Sequence, residues 1–516
     1  MPTSRLRSPR FILFTLAFGV FVAADDLTVV STMLRQMIFD LDIPLPEGLD
    51  DAAWIVNAYL IAYVVVMPFI GRLSDLIGRR AVYIGSLTLF LIGSIWVPFA
   101  TSLPSFIFGR VVSALGGGAM VPVSMAIIAD IYPAERRATA LGTLGAIDTA
   151  GWVWGPLYGA LLIRYLTWQW QFYLNIPLSL IGIIAAWYAL TDLPTPQNND
   201  RVDWLGALAL TISLLTLNIA LLNTSGNIQG VTTLDQLRGD TATNTQPLYL
   251  TALITGLIFI GLQLFLGRHP SPPSSTNPLR RWLQVPPLID LTLFRTLNFT
   301  LAIIINFLVG AILIIAMVNV PLVINILEFD VADAALTSGW LLSAMTASMA
   351  LTAYLGGQLT ERWSYRPVTL LGLVACLLGF TLMGTNWQLN TPYTTMAGQL
   401  AILGAGFGLV TAPIGTAVVN AAPDHHRGVA ASLVIVLRLI GMSVGLSALT
   451  AWGLYRFNTL RRTITVAVSR TDPTYPQAIA NALADLTVGI LTETFIICAL
   501  LALLAFLISL GLRRDQ

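Results

Sequence analysis

The sequence predicts an all-α membrane protein built from two related six-helix halves joined by two linker helices, about fourteen transmembrane helices in all. Three observations carry this. The chain of 516 residues is 56% hydrophobic and only 10% charged, with a mean hydropathy of +0.77, whereas a soluble domain carries about 25% charged residues. Apolar windows long enough to cross a bilayer recur along its whole length. Stretches of the first half reappear in the second.

The windows lie near 11 to 33, 52 to 70, 81 to 100, 104 to 129, 138 to 162 and 171 to 191, which makes one six-span half. Two more near 204 to 222 and 249 to 266 precede a Pro- and Ser-rich linker, and six follow near 298 to 326, 335 to 355, 367 to 385, 394 to 420, 429 to 453 and 488 to 511. This gives an N-terminal bundle over 1–192, linker helices and a cytoplasmic connection over 193–297, and a C-terminal bundle over 298–516 with an external segment 454–487. The start resembles a secretory signal, with basic residues before an apolar run ending at Ala23-Ala24. With so many spans following, it is expected to stay as the first span.

All 27 basic residues are arginine and the net charge is +1, which offers nothing to nucleic acid. Arg5, Arg7, Arg10, Arg72, Arg79, Arg80, Arg136, Arg137, the linker and Arg513-Arg514 fall on one side. Asp40, Asp42, Glu47, Asp50 and Asp51 fall on the other. The positive-inside rule then puts both termini in the cytoplasm of a cell (inner) membrane protein. Segment 454–487 dissents, with Arg456, Arg461, Arg462 and Arg470 beside a β-prone run Thr463 to Val468, and is expected to form an outer hairpin or helix. Cys376 and Cys498 sit inside apolar runs and read as buried thiols. His269, His425 and His426 fall in polar connections without metal-ligand spacing, and no cofactor is implied.

The repeat fixes geometry. Gly71-Arg-Leu-Ser-Asp-Leu-Ile-Gly-Arg-Arg80 returns 286 residues later as Gly357 to Arg366, and Pro133, Arg137, Gly151 and Gly155 return 290 residues later as Pro423, Arg427, Gly441 and Gly445. In the second register Asp148 pairs with Arg438, so an acid and a base occupy equivalent places in the fifth and thirteenth spans and should face each other near the midplane. Asp148, Gly151, Gly155 and Gly159 form one helical stripe, and Arg438, Gly441 and Gly445 form its counterpart. Small-residue stripes serve helix packing; they do not explain the charges.

An ionisable side chain at mid-bilayer costs about 2.5 to 3.5 kcal/mol even on the mildest scale, so Asp25, Asp26, Arg110, Asp148 and Arg438 need a reason. A dry carboxylate resists ionising, and a nearby arginine reverses that. A pair that separates and meets as a cleft opens and closes therefore couples protonation to conformation. Asp25, Asp148 and Arg438 are the expected ion lock, with Asp25 the stronger proton carrier and the proton gradient the source of drive. The turn Gly71, Arg72, Asp75, Gly78, Arg79, Arg80 reads as a hinge or latch, its glycines allowing a tight turn and Asp75 available to cap or pair. Gly441-Met-Ser-Val-Gly445 matches a hydrolase nucleophile elbow in letters only, and Gly116-Gly-Gly118 lacks the residues of a phosphate loop. No catalytic constellation remains, so no enzyme is expected.

Gly71 to Arg80 resembles the loop 2-3 signature of the major facilitator superfamily. Gly145 to Gly159, including Gly151 and Gly155-Pro156, resembles its antiporter motif, and Arg110 is similar to the arginine of its fourth-helix motif. Asp25 resembles the first-helix acid of the fourteen-helix drug:proton antiporters. Within that branch Trp54 to Tyr59, Gly155 to Gly159, Arg438 to Met442 and above all Ala451 to Asn458 are similar to mycobacterial triacylglyceride exporters that work beside a periplasmic lipoprotein. The resemblance implies a major facilitator fold, an ion lock containing Asp25 and Arg438, and proton-coupled export of a lipophilic small molecule or lipid. A multidrug antiporter is the alternative. Two departures stand: the family's fifth-helix acid falls where this chain has Thr149, and Gly159 is followed by Ala160 where the motif has a second glycine.

Overall fold

A computed structural model describes residues 8–42, 49–193, 203–224, 245–268, 287–328, 331–423, 426–460 and 475–513. Among these residues there are fourteen long helices and no strand: α1 (Pro9–Asp40), α2 (Leu49–Ile77), α3 (Arg79–Trp96), α4 (Leu103–Ile131), α5 (Ala134–Tyr165), α6 (Gln169–Ala189), α7 (Trp204–Thr224), α8 (Gln246–Arg268), α9 (Leu297–Leu327), α10 (Val331–Trp363), α11 (Tyr365–Asn386), α12 (Tyr393–Asn420), α13 (Arg427–Leu460) and α14 (Tyr475–Ser509). The linker around His269, and His425, lie outside the described residues, as does the β-prone run Thr463 to Val468.

Twelve of the fourteen are long and apolar enough to cross a membrane. The two that are not, α5 and α10, are among the longest, at 32 and 33 residues, but are rich in Gly, Thr and Ser. They pack against each other between the halves. A helix that packs closely on another needs small residues at the contact more than it needs apolar bulk there.

Packing repeats as the sequence does. α1 meets α5, α2 and α3 meet α4, and α3 meets α6; with eight added to each number, the same partners recur as α9 with α13, α10 and α11 with α12, and α11 with α14. The halves meet through α5 against α10 and α12, and through α13 against α2 and α4. α7 and α8 form a hairpin whose α7 covers the α2–α13 seam. There Ser443 donates to Asn218 at 3.3 Å, Ser447 to the carbonyl of Leu221 at 3.1 Å, and the Phe69 and Trp204 rings stand 5.3 Å apart.

The glycine stripes are the contact surfaces of these pairs. A Cβ at Gly151 or Gly155 would collide with α1 at Ala24, Asp25 and Thr28, and one at Gly441 or Gly445 with the α9 backbone at Phe307 and Ala311. Gly116 and Gly118 likewise abut α3 and α2, so the Gly116–Gly118 run is a packing face. Cys376 and Cys498 are buried. His426, in the connection just before α13, is buried, with Nε2 3.7 Å from Asp290.

Candidate functional site

Asp148 and Arg438 line one cavity between the halves. Seven helices contribute, including Tyr63 on α2, Met125 on α4, Gly145, Thr149 and Trp152 on α5, Met317 on α9, Met345, Thr346 and Met349 on α10, and Thr411 on α12. The wall is mainly apolar, and methionine gives it surfaces that reshape easily. Its volume is about 90 Å³, so the halves are drawn together and a large molecule fits only when they part. Arg438 donates from Nε to Asn306 Oδ1 at 3.2 Å, and Asn306 donates to the carbonyl of Val434 one turn earlier on α13. The guanidinium is thereby fixed on α13 while it faces Asp148, with no direct ion pair between them among the described residues. Both Asp148 and the adjacent Thr149 reach the cavity.

Asp25 is not among the residues that line this cavity. It is buried on α1, where Oδ2 accepts from Gln171 Nε2 at 3.0 Å and Oδ1 has no hydrogen-bond partner. Of the sequence grouping Asp25, Asp148 and Arg438, the cavity lining includes the last two. What joins Asp25 to them is backbone: Gly151 and Gly155, one and two turns beyond Asp148, pack onto α1 at Asp25 itself. Gly159 is buried on the same stripe and Pro156 follows Gly155 within α5.

The partner of Arg110 emerges only in the structure. The Arg110 Nη1 lies 2.6 Å from Asp26 Oδ2, with both side chains about 1% exposed, and its guanidinium stacks 4.0 Å from the centroid of the Tyr59 ring. Asn175 donates to the other Asp26 oxygen at 3.0 Å. Gln171 and Asn175 are four residues apart, on one face of an apolar helix. Two amides so spaced are the signal that could have pointed to the adjacent carboxylates.

At the end of the bundle that carries both described chain ends, the Gly71–Arg80 turn ties the halves together. Gly78 has φ 104°, which breaks α2 from α3. Asp75 pairs with Arg79 and accepts from the backbone N–H of Gly428 at 3.2 Å, an acid set against the positive start of α13. Arg79 bonds Asp130 at 3.0 Å, and Arg427 from the other half approaches Asp130 at 3.3 Å. Arg137 donates to Asn420. Arg72 is buried beside Asp75, and Arg80 lies over the Trp187 ring at 4.7 Å. The repeat supplies the mirror contact, in which Glu361 accepts from the Thr139 N–H at 3.0 Å. Each half thus places one carboxylate on the first turns of a helix in the other.

Two six-helix units with repeated packing, a charged pair in the cavity between them and these cross-half turns agree with a family profile described as Major Facilitator Superfamily, which matches residues 16–236 and 239–446. The chain belongs to the Major Facilitator Superfamily. It is a multi-pass membrane protein of that type. A triacylglyceride transporter of Mycobacterium tuberculosis is 30% identical over 515 residues, covering 96% of this chain and 93% of the relative. One from Mycolicibacterium smegmatis is 29% identical over 516 residues, covering 96% and 86%. Among solved structures, the proton:xylose symporter XylE superposes with a TM-score of 0.59 at 13% identity, covering 95% and 94%. The human organic anion transporter MFSD10 superposes with 0.59 at 14%, covering 98% and 100%. These structures share the superfamily fold.

Proposed function

We propose that this superfamily member is a proton-coupled secondary transporter that exports or extracts a lipophilic substrate, a lipid or glycolipid, by alternating access in the cell (inner) membrane. It is not an enzyme and needs no cofactor beyond the proton gradient, whose electrical part supplies about 2.3 kcal/mol per charge per 100 mV. Arginines at the Gly71–Arg80 end support placing both termini in the cytoplasm. The present state is then the one shut toward the cytoplasm. Asp148 and Arg438 act as the lock across the cavity and Asp25 as the proton carrier on the helix that α5 rests upon. The 30% identical relatives named for triacylglyceride support the lipid class, and a periplasmic or extracellular lipoprotein is the expected recipient.

The observation that carries the lipid reading over a multidrug or biocide antiporter is the state of the other acids. A cation pump needs a further unpaired carboxylate for its cargo, beyond Asp25 and Asp148, which this reading assigns to the proton and the lock. Asp26 is held by Arg110, and Glu493 by Arg456 through two bonds of 2.8 and 2.6 Å, and among the described residues the apolar, methionine-rich wall holds no carboxylate besides Asp148, which faces Arg438.

The test is reconstitution into liposomes, following gradient-driven movement of a fluorescent triacylglycerol and of a cationic dye, for the wild type, Asp25→Asn and Arg438→Ala. Lipid movement that both substitutions abolish, without dye movement, supports the reading. Dye movement alone makes the protein a drug antiporter, and activity indifferent to both substitutions removes the lock.

A further inference from the structure

The cavity and the buried Asp26–Arg110 pair are connected by two aromatic rings. Tyr59 and Tyr63 stand four residues apart on α2, hence on one helical face, with ring centroids 5.8 Å apart and planes 23° from parallel. Tyr63 forms part of the cavity wall. Tyr59 is 1% exposed and lies under the Arg110 guanidinium at 4.0 Å, and Arg110 grips Asp26 at 2.6 Å. The glycines of α4 make room for this: a Cβ at Gly118 would strike the Tyr63 backbone, and one at Gly117 would strike the Tyr59 side chain. Tyr63, Tyr59, Arg110 and Asp26 thus form an unbroken series of contacts from the cavity to α1.

We infer that Tyr59 is a positioning residue that transmits occupancy of the cavity to the Asp26–Arg110 pair on α1, through its stack with Tyr63. An aromatic face stabilises a cation electrostatically, most strongly where water is excluded. A substrate pressing on Tyr63 shifts the stacked Tyr59 ring relative to Arg110. This changes how much of the guanidinium charge the ring takes up and how much falls on Asp26. Asp25 is the next residue, so the signal arrives on the helix turn that carries the proton carrier. The inference rests on the proton-coupled reading above and adds the route by which substrate and α1 sense each other.

The experiment compares wild type, Tyr59→Phe and Tyr59→Leu in proteoliposomes containing a fluorescent triacylglycerol. It measures movement driven by a proton gradient and exchange in the absence of a gradient. Phe keeps the ring face and Leu removes it. The expected result is gradient-driven movement reduced by about tenfold in Tyr59→Leu and within about twofold of wild type in Tyr59→Phe, with gradient-free exchange retained in both. If Leu lowers the yield of folded protein, Tyr59→Met fills more of the ring's volume and serves in its place. A Leu or Met variant that keeps the wild-type ratio of driven movement to exchange overturns the role of Tyr59 and leaves proton coupling standing. So does a Phe variant as impaired as Leu. A wild type that moves lipid equally with and without the gradient overturns the proton-coupled reading, and this inference with it.

Discussion

Arg110 and Asp26 form an ion pair at 2.6 Å, 84 residues apart in sequence, in a part of the N-terminal half where neither side chain reaches solvent. Asn175 satisfies the second carboxylate oxygen and Tyr59 covers the guanidinium. Removing one partner of a buried pair strands the other charge and costs about 3 to 5 kcal/mol, whereas replacing both with apolar groups is often nearly neutral. Arg110→Met is therefore expected to lower the thermal midpoint in detergent sharply. The double variant Arg110→Met/Asp26→Leu should recover most of that loss, and additive losses in the two single variants and the double would show that the residues are not coupled.

The Gly71–Arg80 turn predicts a population shift. A charge-assisted hydrogen bond contributes about 1.5 to 3 kcal/mol, so Asp75→Asn should weaken the hold on Gly428 and favour opening at that end by roughly tenfold or more. Spin labels at Ile77 and Trp363, both exposed on that end, should show a larger population at long distance in the variant.

The two homologous turns differ at one position whose backbone favours glycine. Gly78 has φ 104° and its repeat partner Ser364 has φ 74°, a region in which a side chain costs about 1 to 2 kcal/mol. Ser364→Gly is expected to stabilise by about 1 kcal/mol and Gly78→Ala to destabilise by a similar amount. Denaturant unfolding of the purified protein would check both signs.

Glycine position decides tolerance on the long helices. Gly441 touches the α9 backbone at Phe307, while Gly339 on α10 has open space where a Cβ would stand. Gly441→Leu should cost on the order of 3 kcal/mol through overpacking of the α9–α13 contact, and Gly339→Leu should leave stability unchanged or slightly raised. Melting temperatures of the two variants give the comparison.

Much of this was legible in the chain. The apolar windows locate the helices because a bilayer leaves the backbone no other partner than itself. The offsets of 286 and 290 residues carry the pseudo-symmetry, since equivalent glycines must meet equivalent neighbours. They also pair Asp148 with Arg438, which do share a cavity. The windows at α5 and α10 do hold helices, but twelve of the fourteen, without these two, are long and apolar enough to cross a membrane, and these two pack against each other between the halves.

What the sequence could not separate is adjacency from partnership. Asp25 and Asp26 are neighbours in the chain, but consecutive residues on a helix point about 100° apart. One finds Gln171 and the other Arg110 and Asn175. Helical periodicity determined which residues share a face. Which face meets which, and so which charge neutralises which, was decided only when the two halves and the six helices within each closed on one another, because a buried charge settles on whichever partner the packing brings within reach.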